Sequence, residues 1–275
     1  MTLRFGTSGI PLSSARPGTE HGIARARELG LDCLEMAWVN GVRMGDETAD
    51  RIAGAAQAHR LELTAHAPYY INLCADGPVA ERSIARLIHT GRLAARCGAR
   101  SFCFHAGFYQ AHEVAEARRR VRERLSEVAR TLRAEGIEVD IRPELTGKAS
   151  QLGSLEEILA WSGEIEGVRP CIDFSHQYAR HQGAFNDYEA FAAILDRVRS
   201  QLGREALERL HVHISGIEYG PKGERRHLPL ARSKFRYREL LRALKDARVS
   251  GWVVCESPEM ERDALRLQRA YRRLS

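Results

Sequence analysis

The segment Cys171-Ile172-Asp173-Phe174-Ser175-His176 closes a short apolar run, residues 168–174, which follows a turn and predicts a buried strand. The carboxylate near the end of this strand and the imidazole three residues later can face the same pocket. Both groups are ordinary ligands of divalent metals, and imidazole favours zinc and its neighbours. A metal centre would require other strand ends to carry His or Glu in the same relative place.

Short β-rich segments alternate with longer helical segments on both sides of this run, which predicts a parallel sheet with crossover helices. Eight strands are predicted, at residues 3–7, 32–37, 61–66, 100–105, 137–142, 168–174, 210–214 and 251–256. The predicted helices are at residues 19–29, 46–60, 78–97, 111–134, 187–202 and 235–247, with two more beginning at Ser154 and Glu259. Eight such units predict an α/β chain with one (β/α)8 TIM barrel, a single domain over residues 1–275.

The composition indicates a soluble globular protein, with 44% hydrophobic and 28% charged residues. The absence of a long apolar stretch predicts no contact with membranes, and the lack of a signal-peptide pattern predicts a cytoplasmic protein. The six cysteines are scattered, which argues against a zinc ribbon, a thioredoxin site or a disulfide framework. The net charge of +6 suits a polyanionic partner. We expect a monomer.

The predicted strand ends carry the residues from which we expect the chemistry, because the active site of a TIM barrel forms there. They are His66, His105, Glu144, Asp173, His213 and Glu256, and the following loops add His176, Glu224 and His227. Burying so many carboxylates without partners would cost free energy, and a metal cluster removes that cost. The sequence therefore predicts a metal centre with these nine ligands.

A second set of polar residues lies deeper along the same strands, because side chains repeat every second residue on one face. His211 shares a face with His213, and we expect it to make a structural hydrogen bond. Asp140 and Arg142 share the inward phase of the fifth strand and are predicted to pair inside the barrel, with Glu35 as a further partner.

Five segments together resemble the endonuclease IV family of apurinic/apyrimidinic endonucleases, within the larger group of xylose-isomerase-like TIM barrels. They are His66-Ala67-Pro68-Tyr69-Tyr70-Ile71-Asn72-Leu73, Phe104-His105-Ala106-Gly107, Glu144-Leu145-Thr146-Gly147, Cys171-Ile172-Asp173-Phe174-Ser175-His176 and Cys255-Glu256-Ser257-Pro258. The resemblance covers nearly the whole chain. It implies about three zinc ions per chain, with manganese as an alternative, and hydrolysis of the phosphodiester 5′ to abasic sites in double-stranded DNA.

The same resemblance implies a role for each site residue. One metal would be held by His66, His105 and Glu144, and Glu144 would bridge to a second metal held by Asp173, His213 and Glu256. The third metal would be held by His176 and His227, with Glu224 nearby. Catalytic roles fall to Glu144 and Glu256. The residues expected to contact DNA are Tyr69, Tyr70, Asn72, Arg43, Lys222 and Arg225.

The chain departs from the family pattern at two places. The family has an Asp-x-His in the seventh loop, whereas Arg225 stands two residues before His227 here. Glu224 can replace the missing carboxylate if the loop is remodelled; otherwise the third metal is weak or lost. At the DNA wedge, Tyr70 stands where a Leu is common. The arginine of the second loop has no clear match, and Arg43 is the residue assigned to it.

Two other functions remain open at this stage. A single-metal sugar isomerase or epimerase on the same barrel needs only Glu144, Asp173, His213 and Glu256, with two of the glutamates transferring protons. A DNA-binding barrel without catalysis would gain nothing from so many ligands. The additional histidines and a set of basic loop residues favour the nuclease. Those basic residues are Lys148, Arg180, Lys222, Arg225 and Arg226.

Overall fold

The computed structural model describes residues 3–274 and consists of eight parallel strands surrounded by helices. The barrel strands are β1 (Leu3–Ser8), β2 (Cys33–Ala37), β3 (Glu62–His66), β4 (Ser101–Phe104), β5 (Asp140–Pro143), β6 (Cys171–Asp173), β7 (Leu210–Ile214) and β10 (Gly251–Cys255). A separate antiparallel hairpin is formed by β8 (Gly216–Gly220) and β9 (Gly223–Leu228). The helices are α1 (Thr19–Glu28), α2 (Asp46–His59), α3 (Gly77–Arg96), α4 (Val114–Ala134), α5 (Leu155–Glu164), α6 (Phe174–Arg180), α7 (Tyr188–Leu202), α8 (Arg204–Glu208), α9 (Tyr237–Asp246) and α10 (Glu261–Arg272).

The strands follow the order β5-β4-β3-β2-β1-β10-β7-β6 around the sheet. The barrel closes between β5 and β6 through two isolated parallel bridges, Ile141 with Val168 and Glu144 with Cys171. The predicted (β/α)8 TIM barrel is therefore confirmed. Among the described helices, none combines the length and the hydropathy that a bilayer crossing requires.

The strands alternate between two buried layers, as β7 shows. Leu210, Val212 and Ile214 belong to the apolar layer beneath the helices, and each contributes about 1.5–3 kcal/mol by leaving water. His211 and His213 point into the barrel and are fully buried there. This period of two places polar side chains in layers inside the barrel, and the uppermost layer lies at the C-terminal ends of the strands.

Two helices begin at residues typical of a helix start. Ser154 and Glu157 form a capping box at α5, and Pro78 lies in the first turn of α3.

Three predictions need correction. The predicted strand over residues 168–174 is shortened to β6, because Asp173 caps the new helix α6 by accepting the main-chain N–H of His176. His176 is consequently helical. The seventh loop, for which no strand was predicted, contains the hairpin of β8 and β9.

Arg142 is fully buried at the N-terminal end of the barrel, where it joins three strands. Its guanidinium donates to Asp140 Oδ2 (2.8 Å) and to the carbonyl groups of Pro170 (3.0 Å) and Arg209 (2.8 Å). The predicted pair with Asp140 is confirmed. The predicted participation of Glu35 is wrong, because its carboxylate bonds to His213 and Thr64 higher in the barrel.

Replacing Arg142 with Leu should lower the free energy of unfolding by about 3 kcal/mol, because three buried acceptors lose a charged donor. Urea denaturation followed by circular dichroism measures this loss. Arg119→Ala is the control, since Arg119 makes its ion pairs on the solvent-facing side of α4 and should change stability little. Equal losses in the two variants would contradict a structural role for Arg142.

Candidate metal centre

A single carboxylate, that of Glu144, lies at the centre of the upper layer and is fully buried. Its Oε2 is 3.1 Å from His66 Nε2 and 3.2 Å from His105 Nε2. Its Oε1 is 3.1 Å from His213 Nδ1 and 3.4 Å from His176 Nδ1. Four imidazoles from different elements therefore surround one carboxylate at the C-terminal mouth of the barrel.

The main chain fixes the orientation of two of these imidazoles, His66 and His176, and of a fifth imidazole at the mouth, that of His227. Their Nδ1–H groups donate to carbonyl oxygens, that of His66 to Ala67 (2.7 Å), that of His176 to Leu145 (2.9 Å) and that of His227 to Glu256 (3.1 Å). A neutral imidazole that donates through Nδ1 carries a lone pair on Nε2. These bonds therefore leave three Nε2 lone pairs directed into the pocket, as expected for metal-binding histidines.

These lone pairs face other acceptors at close range. His66 Nε2 faces Glu144 Oε2, and His176 Nε2 lies 3.4 Å from His227 Nε2 and 3.5 Å from Glu224 Oε2. Acceptors at such distances repel each other unless a proton or a cation lies between them. The pocket is consequently arranged for positive charge.

All nine residues predicted as metal ligands lie at this mouth. Their ligand atoms form four groups, within each of which every atom is within 4.8 Å of the others. The groups are His66, Cys103 and Glu144; His105, Glu144 and His176; Glu144, Asp173, His213 and Glu256; and His176, Glu224 and His227. Because Glu144 and His176 are shared, the groups form a continuous row of donors.

Asp173 tests whether this donor set fits a cation. Its Oδ1 accepts the main-chain N–H of His176, whereas its Oδ2 is buried without a hydrogen-bond partner among the described residues. The nearest imidazole nitrogen, His176 Nδ1 at 3.3 Å, is directed at Leu145 instead. A buried carboxylate oxygen without a partner is costly, and a divalent cation would satisfy it. The residues present therefore fit the metal that the donor set implies.

The ionisation of the pocket shows the same demand for positive charge. Burial opposes ionisation of Glu144, but the charges of His105 and His213 outweigh it and hold its pKa well below the usual range. Burial raises the pKa of Asp173 well above its usual value, despite the neighbouring charge of His176. Burial also disfavours the charged form of His66, yet its hydrogen bond to Glu144 raises its pKa to about 9.

A β-bulge in the hairpin brings Glu224 to the pocket. Tyr219 pairs with Glu224 and Glu218 pairs with Arg226, so Arg225 is the extra residue opposite this step. In a regular strand, residues three apart face opposite sides, and one bulged residue restores a common face. Glu224 Oε1 accordingly lies 3.7 Å from His227 Nε2. The bulge thus brings the Glu224 carboxylate beside the His227 imidazole, although three residue positions separate them in the sequence.

Gly147 gives the hairpin room to approach the pocket. A Cβ at this position would lie 2.7 Å from both Cβ and Oε2 of Glu224 and 3.0 Å from His176 Cδ2. The Gly147 carbonyl also accepts the main-chain N–H of Glu224 at 2.9 Å. The Gly-containing loop after β5 therefore holds the carboxylate of β9 against the histidine of α6.

The donor row opens into a cavity of about 340 Å³ with an aromatic and basic rim. Tyr69 (55% exposed) and Phe108 (46% exposed) line it, together with Lys148. The Tyr69 ring packs edge-on against His66, with centroids 5.5 Å apart. Phe108 was not expected from the sequence, although its place three residues after His105 was a usable signal.

The other residues expected to contact DNA do not line this cavity. Tyr70 is 63% exposed beside Tyr69 but does not line the cavity. The side-chain carbonyl of Asn72 accepts the N–H groups of Cys74 and Phe108 and so joins two loops. Arg43, Lys222 and Arg225 are exposed and lie outside the cavity lining, and Arg225 is 3.5 Å from Glu218.

The prediction that Arg180 contributes to a basic rim needs correction. Its Nη1 donates to the main-chain carbonyls of Thr146, Lys148 and Gln151, so the side chain supports the loop after β5. Arg226 is likewise paired, with Glu218 at 2.8 Å. Lys148 is the basic residue of that set that lines the cavity.

The sequence profile of the xylose isomerase-like TIM barrel family matches residues 23–274. The chain belongs to this family. An uncharacterized protein of Methanocaldococcus jannaschii is 41% identical to it over 273 residues, which are 99% of this chain and 98% of that protein. Endonuclease 4 of Thermus thermophilus is 28% identical over 220 residues, which are 77% of this chain and 75% of that protein. The predicted resemblance is confirmed.

Solved structures show how widely this xylose isomerase-like barrel is used. Endonuclease IV from Thermus thermophilus has a TM-score of 0.73 at 22% identity, covering 96% of this chain and 98% of that chain. A D-tagatose 3-epimerase-like protein has a TM-score of 0.74 at 17% identity, covering 98% of this chain and 96% of that chain. At such identities the likeness shows the fold alone, so the chemistry must be argued from the site.

The bulge generates a prediction about sequence spacing in this xylose isomerase-like barrel. Deleting Arg225 places Glu224 two residues before His227, and both side chains still face the pocket because the strand becomes regular. Zinc retained per chain after dialysis should therefore match the parent, whereas Glu224→Ala should retain less. Equal losses in the two variants would mean that the register of the hairpin does not position the carboxylate.

The ionisation of His66 generates a second prediction. Because its pKa is raised to about 9, His66 is protonated below that pH in the metal-free protein, and a cation must displace the proton. Zinc affinity, measured by competition with a chelator, should rise from neutral pH towards pH 9, by up to about tenfold per pH unit from this group. His66→Gln should release one proton fewer per chain on loading. An unchanged number of released protons would contradict the assignment of His66 as a protonated residue whose proton the cation displaces.

Proposed function

We propose that this barrel is a metal-dependent phosphodiesterase that cleaves double-stranded DNA 5′ to abasic sites. One observation carries the proposal, namely the Nε2 lone pairs of His176 and His227 converging with the Glu224 carboxylate beside the Glu144 cluster. A site for one cation does not require this second group of donors. Phosphodiester hydrolysis does, because charge develops on both the entering and the leaving oxygen.

The proposal extends to the identity of the metal and to the setting of the protein. Imidazole and carboxylate donors in groups of three and four suit zinc, at about three ions per chain, with manganese as the alternative. When bound, these ions would neutralise the charge that develops on the phosphate. The protein would act as a single-domain monomer in the cytoplasm, with the nine predicted residues as ligands.

The residues of the chain have separate tasks in this proposal. Glu144 and Glu256 supply the two carboxylates that face His213 Nδ1, and we assign them the catalytic role. The side chain of Lys148 would contact a phosphate at the cavity mouth. Tyr69 and Phe108 offer exposed rings on which bases next to the missing one can stack.

The similarity to endonuclease 4 of Thermus thermophilus supports this function, since that relative is named for nuclease activity. A single-metal sugar epimerase is the second candidate. The central group of Glu144, Asp173, His213 and Glu256 would be sufficient for it, and a cavity of about 340 Å³ is large enough for a monosaccharide. The two candidates differ in the number of cations that they require.

The zinc-loaded protein should incise a duplex that carries one tetrahydrofuran abasic analogue and leave the matched undamaged duplex intact. Glu144→Ala should reduce the rate by about 1,000-fold or more, because several kcal/mol of charge stabilisation are lost with the cations. His66→Ala should also reduce it strongly. Gel electrophoresis of an end-labelled duplex measures the rates.

Glu218→Ala is the matched control, because Glu218 pairs with Arg225 and Arg226 rather than with the donor row. Cleavage by Glu144→Ala and His66→Ala at the parental rate would reveal a contaminating nuclease. A preparation that leaves the abasic duplex intact, binds one ion per chain and epimerises a ketohexose would establish the second candidate instead.

A further inference from the structure

A second cluster of potential ligands lies one layer below the donor row. Cys103, Cys171 and His211 each precede an upper ligand by two residues on the same strand, so they point into the barrel at the next depth. With His213 they form a group whose four ligand atoms all lie within 4.8 Å of one another. All four side chains are 0% exposed. We call these four residues the lower cluster.

The polar atoms of the lower cluster are poorly satisfied by the protein. His211 Nε2 is buried without a hydrogen-bond partner among the described residues, although Glu35 Oε2 lies 3.1 Å away. His211 Nδ1 makes only a long contact of 3.4 Å with Ser101 Oγ. Cys103 Sγ has weak acceptors at Glu35 Oε2 (3.5 Å) and Ala65 O (3.6 Å). An imidazole this deeply buried normally has a good partner.

His213 connects the two layers through its two ring nitrogens. Its Nδ1 faces Glu144 and Glu256 at 3.1 and 3.6 Å in the donor row. Its Nε2 faces downward, 3.3 Å from Glu35 Oε2 and 3.7 Å from Cys103 Sγ. A neutral imidazole has one lone pair, so His213 can bind a cation in one layer at a time. When its Nδ1 serves the donor row and its Nε2 carries the proton, Glu35 can complete the lower layer.

We propose that the lower cluster is a separate binding site for a soft divalent cation, with zinc as the expected ion. Two thiolates and two imidazoles are a standard tetrahedral zinc set. Both sulfurs would bind as thiolates, any proton that the donors carry would leave to solvent, and the charge of the ion would balance the two thiolates. This proposal does not depend on the proposed function, because Cys103, Cys171 and His211 are not among the nine predicted ligands, and Glu35 can take the place of His213 in the lower cluster.

A disulfide between the two thiols is a poorer explanation of their proximity. Cys103 lies on β4 and Cys171 on β6, and β5 lies between these strands. Two strand spacings separate the main chains by about 9.5 Å, and a disulfide needs Cα atoms less than about 7 Å apart. A cation between the sulfur atoms requires no such approach, because each Zn–S bond adds about 2.3 Å.

Ligand type separates the two layers chemically. The groups of the donor row other than the one that includes Cys103 contain only nitrogen and oxygen donors. Thiolates select zinc and other soft ions more strongly than carboxylates do. The lower cluster should therefore keep its ion under chelation that empties the donor row.

Cobalt(II) distinguishes the layers spectroscopically. The whole chain, stripped of metal and titrated with cobalt, should develop the near-ultraviolet charge-transfer band that only thiolate ligation produces. Cys103→Ser and Cys171→Ser should each lose most of this band, and the double variant should bind one ion fewer per chain. Cys97→Ser is the matched control, because Cys97 is also buried but lies at the end of α3 near Met44.

Circular dichroism of each variant reports whether it folds, and His211→Gln provides a variant that keeps both thiols should a serine variant unfold. His211→Gln should weaken cobalt affinity at the thiolate band. X-ray absorption of the zinc-loaded parent should show sulfur in the first coordination shell. A parent without the thiolate band, or a band that survives in the folded double variant, would overturn the proposal. Either result leaves the test of abasic-site cleavage unaffected.

Discussion

The structure depends on the requirement that the buried carboxylate of Glu144 be surrounded by positive charge. Four imidazoles contact it, and the free energy cost of burying one uncompensated ion reaches several kcal/mol. Main-chain carbonyls orient His66, His176 and His227 so that lone pairs, and not N–H groups, meet in the pocket. Protons or metal cations must therefore supply the positive charge in this pocket.

Much of this site was predictable from the sequence for a topological reason. Parallel strands of a closed barrel end at one mouth, so a His or Glu at each strand end can be assigned to a common pocket without knowledge of any contact. The lower layer follows from the same period of two, yet the sequence does not indicate that Cys103 could be a ligand, because nothing local distinguishes a ligand thiol from a packing thiol.

Other features depended on contacts that no local pattern records. The bulge at Arg225 exists only through the pairing of β8 with β9, so the spacing of Glu224 and His227 alone could not decide which side each faces. The turn residues between these strands, Gly220-Pro221-Lys222-Gly223, were a usable hairpin signal. Arg180 belonged to a basic set in the sequence, but the loop after β5 supplies carbonyl acceptors that bind its guanidinium. Contacts of this kind form only when the chain folds, so the local sequence does not indicate them.

The two bridges that close the barrel have a mechanical consequence. Within the described residues, the seam between β5 and β6 has no continuous ladder and is joined through two isolated bridges, Ile141 with Val168 and Glu144 with Cys171. Glu144 follows β5 on one side of the seam, and Asp173 ends β6 on the other. An ion bound by both carboxylates would link β5 to β6 across the seam. Metal loading would then add a bond between β5 and β6 and so stabilise the closed barrel.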